Sequence, residues 1–290
     1  MTRLDDGRRT HGPGRSGPLA IVLAGAWLLA LAAEKLAGLP GLSLLVLIAL
    51  VLAHGGATLG ARGMALFVVL AVLVSFLLEA LSIATGFPFG FYVHHAAMPK
   101  PLGVPLIVPP TYAAYGYLGW RIACTLLHCE EAGPSAQRLL GAPLLAGLIV
   151  PGIDLAGDAL GSTVAGTWTY AHPSGFFGVP LSNFLGWIVT SWAMIQAYAL
   201  AEALFDRRMR HAAMPLRLRI LPPLVWLVSA VQFVPDLMRA GAATATVAGR
   251  TFLVSDIVES GVIVGLLAMA PPALAALLVV LGSIGAPARR

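Results

Sequence analysis

Long apolar runs with almost no charge constrain this chain more than any motif it carries. Windows approaching the roughly 20 residues that cross hydrocarbon fall near 18–33, 42–59, 64–84, 104–127, 139–157, 184–205, 219–235 and 255–282. Only 11% of the side chains are charged and the mean hydropathy is +0.86, which excludes an ordinary soluble domain. The expected fold class is all-α: a polytopic transmembrane helical bundle of about eight helices over 18–284. A polar, disordered tail at 1–17 and a short tail at 285–290 flank it.

The formal charge of +5 follows the gaps between apolar runs, so it signals topology rather than a nucleic-acid partner. With the amino terminus in the cytoplasm, the inside segments hold Arg3, Arg8, Arg9, Arg15, Arg62, Arg138, Arg207, Arg208, Arg210, Arg217, Arg219, Arg289 and Arg290. The outside segments hold only Lys35, Lys100, Arg239 and Arg250. This asymmetry predicts N-in and C-in in the cytoplasmic (inner) membrane. The first run also resembles a signal peptide ending at Ala30-Leu31-Ala32, but it reads more simply as a retained helix. Cys124 and Cys129 lack a second pair, so neither a disulfide framework nor a thiolate metal site is indicated.

Six acids stand inside or at the ends of apolar runs: Glu79, Asp154, Asp158, Asp236, Asp256 and Glu259. A carboxylate at bilayer depth is costly unless protonated, paired or solvated, so each is a functional candidate. The eight-helix topology puts all six toward the non-cytoplasmic side, as if lining one polar chamber. The bland alternatives are a structural hydrogen bond for Glu79, a backbone amide freed by Pro151 for Asp154, and interfacial placement for Asp158. For Asp236 and the Asp256/Glu259 pair they are helix capping or anchoring.

Two aromatic, Gly- and Pro-rich segments, 85–103 and 158–183, interrupt the apolar pattern. They share a register. Gly103-Val104-Pro105-Leu106 recurs as Gly178-Val179-Pro180-Leu181, and the same offset of 75 maps Glu79 onto Asp154 and Gly86 onto Gly161. A parallel repeat of two helix-loop-helix units would present two acids at one depth.

Missing parts exclude several chemistries. Lys35 and Lys100, the only lysines, fall in expected loops, so no helix offers a retinal Schiff base. No His-x-x-x-His pair supports a membrane di-iron centre, and no dinucleotide fingerprint follows a strand. Neither a metal nor a cofactor is expected. Acids beside aromatics suit a carbocation: a neutral carboxylic acid protonates an alkene, ring faces stabilise the cation, and a carboxylate deprotonates attacking water.

Glu79 with Thr85-Gly86-x-Pro88-Phe89-Gly90-x-Tyr92, Leu102-Gly103-Val104-Pro105, Asp154, Trp168-x-Tyr170 and Phe177 through Trp187 resembles the integral-membrane carotenoid hydratases. The likeness covers about residues 75–190. It implies a lyase adding water to the terminal double bond of an acyclic carotenoid, C40 or C50, to give a tertiary alcohol. The substrate would be drawn from the lipid, and a downstream carotenoid glycosyltransferase would be a partner. The family pattern has a proline-containing stretch just after the acid of the fifth helix; this chain reads Asp154-Leu155-Ala156-Gly157-Asp158-Ala159, which leaves the catalytic position open between Asp154 and Asp158.

The candidate catalytic residues are thus Glu79, Asp154 and Asp158. Tyr92, Trp168, Tyr170, Asn183, Trp187, Asp256 and Glu259 are candidates for substrate binding, against bland readings as belt aromatics, an N-cap and helix-end anchors. Two rival functions use the same residues: a proton-coupled transporter of a lipophilic substrate and a non-catalytic carotenoid-binding protein.

Overall fold

The computed structural model describes residues 16–38, 41–130, 134–205 and 214–283. The expected tails at 1–17 and 285–290, apart from the first helical residues Ser16 and Gly17, lie outside the described residues, as does most of the Arg-rich turn at 206–218. Among the described residues, eight helical rods follow one another: α1 (Ser16–Ala37), α2 (Leu42–Thr58), α3 (Gly60–Thr85), α4 (Val108–Leu126), α5 (Gln137–Val164), α6 (Leu181–Phe205), α7 (Leu216–Leu237) and α8 (Val254–Gly282). Among the described residues, six are long and apolar enough to cross a membrane: α1, α3 and α5 to α8.

The difference from the eight expected crossings lies in α2 and α4. Helix α2 is apolar but has only 17 residues. The 19 residues of α4 include Tyr112, Tyr115, Tyr117, Trp120 and Arg121, which dilute its apolar character. Nearly every α4 residue from Tyr112 to Thr125 is buried. A helix sheathed by other helices need not match hydrocarbon, because its neighbours do so instead. Those neighbours carry the outward apolar surface: Leu29 is 74% exposed, Leu267 75% and Leu278 70%. Such side chains facing outward along whole helices are stable in lipid and not in water, so the chain is a membrane protein.

The rods end where the sequence supplies a stop. Gly86, in the left-handed region at φ 83°, closes α3, and its N–H bonds the Ser82 carbonyl at 2.7 Å. Pro109 and Pro110 open α4, where a missing N–H costs nothing. Helix α5 runs to Val164 and ends in a π-turn over Leu160–Val164, so the irregular segment expected from 158 begins later.

Among the described residues, four short strands form two antiparallel ribbons where none was expected. β1 (Tyr92–His94) pairs with β2 (Trp168–Tyr170), with Tyr92 opposite Tyr170 and His94 opposite Trp168. β3 (Thr244–Val247) pairs with β4 (Arg250–Leu253) in a hairpin before α8. Strands of three and four residues are too short to show a period of two against an aromatic background, hence their invisibility in the sequence.

The far ends of α4 to α7 hold a buried ion network. Arg138 donates to both carboxylate oxygens of Glu202 at 2.7 and 2.8 Å and to the Cys129 carbonyl at 2.9 Å. Glu130 accepts from Arg219 at 3.0 Å, Thr125 at 2.8 Å and Arg121 at 3.3 Å. Glu202 is therefore the partner of an arginine only 3% exposed.

A candidate active site of three buried carboxyl groups

The C-terminal ends of α3 and α5 bring Glu79, Asp154 and Asp158 to the end of the bundle away from the arginine network. The expected repeat is visible here as geometry. After each helix, a short strand carries a tyrosine back onto its own acid: Tyr92 Oη donates to Glu79, and Tyr170 Oη donates to Asp158 at 2.6 Å. Each unit then makes a left-handed pair ahead of Val-Pro-Leu: Leu102 (φ 51°) with Gly103 (φ 85°), and Phe177 (φ 51°) with Gly178 (φ 97°). Identical turns at matching places return the chain into α4 and α6. The tyrosine contact makes Asp158, rather than the offset partner Asp154, the counterpart of Glu79.

Asp158, 2% exposed, is saturated with neutral donors. Trp168 Nε1 donates to its Oδ1 at 2.9 Å, while Tyr170 Oη and Asn183 Nδ2 both reach Oδ2 at 2.6 Å. Asn183 Nδ2 also donates to Asp154 Oδ2 at 2.7 Å, so one amide bridges two carboxyl groups. This corrects the reading of Asn183 as an N-cap. Helix α6 starts two residues earlier, at Leu181, and the Asn183 amide is turned across to α5 instead of back to its own backbone. Trp168 can approach because Gly161 lies beneath it, where a Cβ would stand 2.2 Å from the ring.

Ring faces surround these groups. Tyr92 and Tyr170 lie 6.1 Å apart between centroids, His94 packs 5.2 Å from Tyr92 and 6.1 Å from Trp168, and Tyr112 stacks on Trp187 at 4.1 Å. Burial, followed by the neighbouring carboxylates, raises the pKa values of Tyr92 and Tyr170 well above the usual tyrosine range. Both therefore stay protonated as donors. Glu79 and Asp154 are within electrostatic reach of each other. Among the described residues no lysine or arginine pairs with any of the three carboxyls, and no three His, Cys, Asp or Glu side chains converge as metal ligands.

The other expected site residues fall apart from this cluster. Asp256 and Glu259 are exposed on the first turns of α8, because Ile257, Val258 and Gly261 take the face that packs inward. Asp236 pairs with Lys35 of α1, a cation 201 residues away in sequence. The single chamber expected for six acids is thus a cluster of three.

Two residues join the site unannounced. His94 places Nε2 at 3.8 Å from Glu79 Oε2, buried and without a hydrogen-bond partner. Its offset from Tyr92 by two, which puts both on one strand face, was the available signal. Tyr112 Oη is likewise buried and unpartnered. Three tyrosines, Tyr112, Tyr115 and Tyr117, punctuate 108–126 at similar spacing, so nothing in the sequence singled it out.

No solved structure matches this chain. The bisanhydrobacterioruberin hydratase of Haloarcula japonica is 29% identical over 163 residues, 56% of this chain, and the chain spans about half (51%) of that relative's length. The family described as carotenoid biosynthesis protein matches residues 39–255, ending in the first turn of α8. That match takes in α2 to α7, both strands of the first ribbon and all three clustered carboxyls, and the chain belongs to the carotenoid biosynthesis protein family.

Proposed function

We propose that this protein is a hydratase of the cytoplasmic membrane that adds water to the terminal double bond of an acyclic carotenoid. The observation that carries the reading is the cluster itself: three carboxyls gathered at one end of the bundle, held by neutral donors alone, beside aromatic faces. A purely structural charge would recruit an opposite one, as at the other end of the same bundle.

Glu79 is the proton donor in this scheme. Its proton forms a C–H bond at the less substituted alkene carbon, and the π electrons leave a tertiary cation that the surrounding ring faces stabilise. Water oxygen then bonds to the cationic carbon, and its surplus proton passes to Asp154. The carbon skeleton gains one water and a tertiary alcohol results. Asp154 suits the base because its Oδ2 is fixed by Asn183 while Oδ1 has no hydrogen-bond partner among the described residues. Asp158, saturated by three donors, anchors the amide that orients Asp154. His94 stands where it can return a proton to Glu79 between turnovers. The resulting alcohol is a nucleophile for a carotenoid glycosyltransferase, the downstream partner this reading proposes.

The test is expression in hosts that accumulate acyclic C40 or C50 carotenes, with pigments resolved by mass. The expected product gains one water per reacted end, and Glu79→Gln or Asp154→Asn abolishes that gain at retained membrane levels. Pigment bound without any mass change would favour a binding protein instead. Unchanged turnover in both variants would remove the site.

A further inference from the structure

Tyr112 is wholly buried in α4, at 0% exposure, and its hydroxyl has no hydrogen-bond partner among the described residues. A buried hydroxyl left unpaired costs about 1–3 kcal/mol. The ring is not free to turn away, since it lies parallel to Trp187 at 4.1 Å and against Phe89 at 6.4 Å. Trp187 follows Asn183 by one helical turn on the same face of α6, so the stack sits beside the bridged carboxyls. From there Tyr112 Oη approaches Glu79 without a well-oriented hydrogen bond and lies within electrostatic reach of both Glu79 and Asp154. A fixed hydroxyl within reach of two carboxyls, with no well-oriented protein partner, fits a small polar ligand with both donors and acceptors.

We propose that Tyr112 positions the water consumed by the hydration, sharing it with Asp154. This rests on the hydratase reading above and adds the binding place of the second substrate. Tyr112 Oη accepts one O–H of the water and Asp154 Oδ1 accepts the other, which leaves a lone pair on the water oxygen directed at the cationic carbon. As the C–O bond forms, the O–H facing Asp154 breaks and its proton moves to that carboxylate. Tyr112 exchanges no proton with the substrate; it is a positioning residue.

The role predicts a partition that a packing role would not. Tyr112→Phe leaves Glu79 able to protonate the alkene, but the cation meets a misplaced nucleophile and returns to an alkene by losing a proton. With membranes in D2O and lycopene or an acyclic C50 carotene as probe, the expected result is a loss of hydration of about 100-fold. Unhydrated carotene meanwhile gains deuterium by solvent exchange at a rate near the wild-type protonation rate. Glu79→Gln should lose both hydration and exchange. Hydration by Tyr112→Phe within a few-fold of wild type would overturn the proposal, as would equal loss of hydration and exchange in a variant that accumulates normally.

If Tyr112→Phe fails to accumulate, 4-aminophenylalanine and 4-methylphenylalanine at position 112 give the same contrast at matched size. Only the amino ring, which can hydrogen-bond, should retain hydration; equal activity in the two overturns the assignment. A wild-type chain that hydrates neither probe would count against the hydratase reading itself, and therefore against this one.

Discussion

The two ends of the bundle treat buried charge in opposite ways. At one end Arg138 meets Glu202 through two parallel hydrogen bonds, and Glu130 lies between Arg121 and Arg219. At the other, Glu79, Asp154 and Asp158 receive only tyrosine, tryptophan and asparagine donors, with the His94 imidazole nearby. Full ionic pairing fixes the protonation state and locks helices together. Neutral donors orient a carboxyl group yet leave it able to give or take a proton. The contrast separates charges that hold the fold from charges available for chemistry.

Exchanging the substitutions between ends is the strongest way to break that comparison. Asp158→Asn should lower hydration by about 100-fold, since the carboxylate that anchors the Asn183 amide, and through it Asp154, is lost, while unfolding in mixed detergent shifts little. Arg138→Ala should do the reverse: stability falls by about 3–5 kcal/mol, the cost of stranding Glu202, with turnover per folded molecule unchanged. A paired Arg138→Met, Glu202→Leu variant should recover most of that stability, which unfolding midpoints would record. If Arg138→Ala instead reduced turnover of the folded fraction, the division between the two ends would not hold.

Smaller effects sharpen the picture within the acidic end. Asn183→Ala frees Asp154 from Asp158, and a displacement of about 1 Å at the base is expected to cost about 100-fold in turnover, read by pigment mass analysis with protein level held equal. Smallest is a spectroscopic effect. Because burial raises the pKa values of Tyr92 and Tyr170, neither should contribute tyrosinate absorbance near pH 10 in the folded protein. Their contribution to stability is complete below the unfolded tyrosine pKa of about 10 and is lost as pH rises above it, because only the unfolded chain then releases those protons. Tyrosinate signal from both residues in folded protein at pH 10 would contradict the hydrogen-bonding assigned to them.

Much of this arrangement was legible in the sequence because acids are rare in apolar runs and the Gly-Val-Pro-Leu copies keep a fixed spacing. Glu79, Asp154 and Asp158 stood out for that reason, and so did the partners Tyr92, Trp168 and Tyr170. What stayed hidden depends on contacts distant in the chain. Asp236 looks the same as Asp158 until Lys35 is found beside it. Asp256 and Glu259 share a helical face, as their spacing requires, but spacing cannot say whether that face looks inward. Arg121 lies inside an apolar run, and only its place in α4, the helix the others enclose, accounts for it. Tyr112 is distinguished only by what its hydroxyl lacks, a property of three-dimensional surroundings.

The ribbon of Tyr92–His94 against Trp168–Tyr170 has a consequence for how the chain tolerates change. Its inward residues alternate with Val93 and Thr169, which are exposed. A single-residue deletion that slid one strand by one place would therefore carry valine or threonine to the position of a tyrosine and strip a carboxyl group of its donor. Loop length elsewhere can drift, whereas the spacing from each acid to its tyrosine, 13 residues in one unit and 12 in the other, behaves as a ruler.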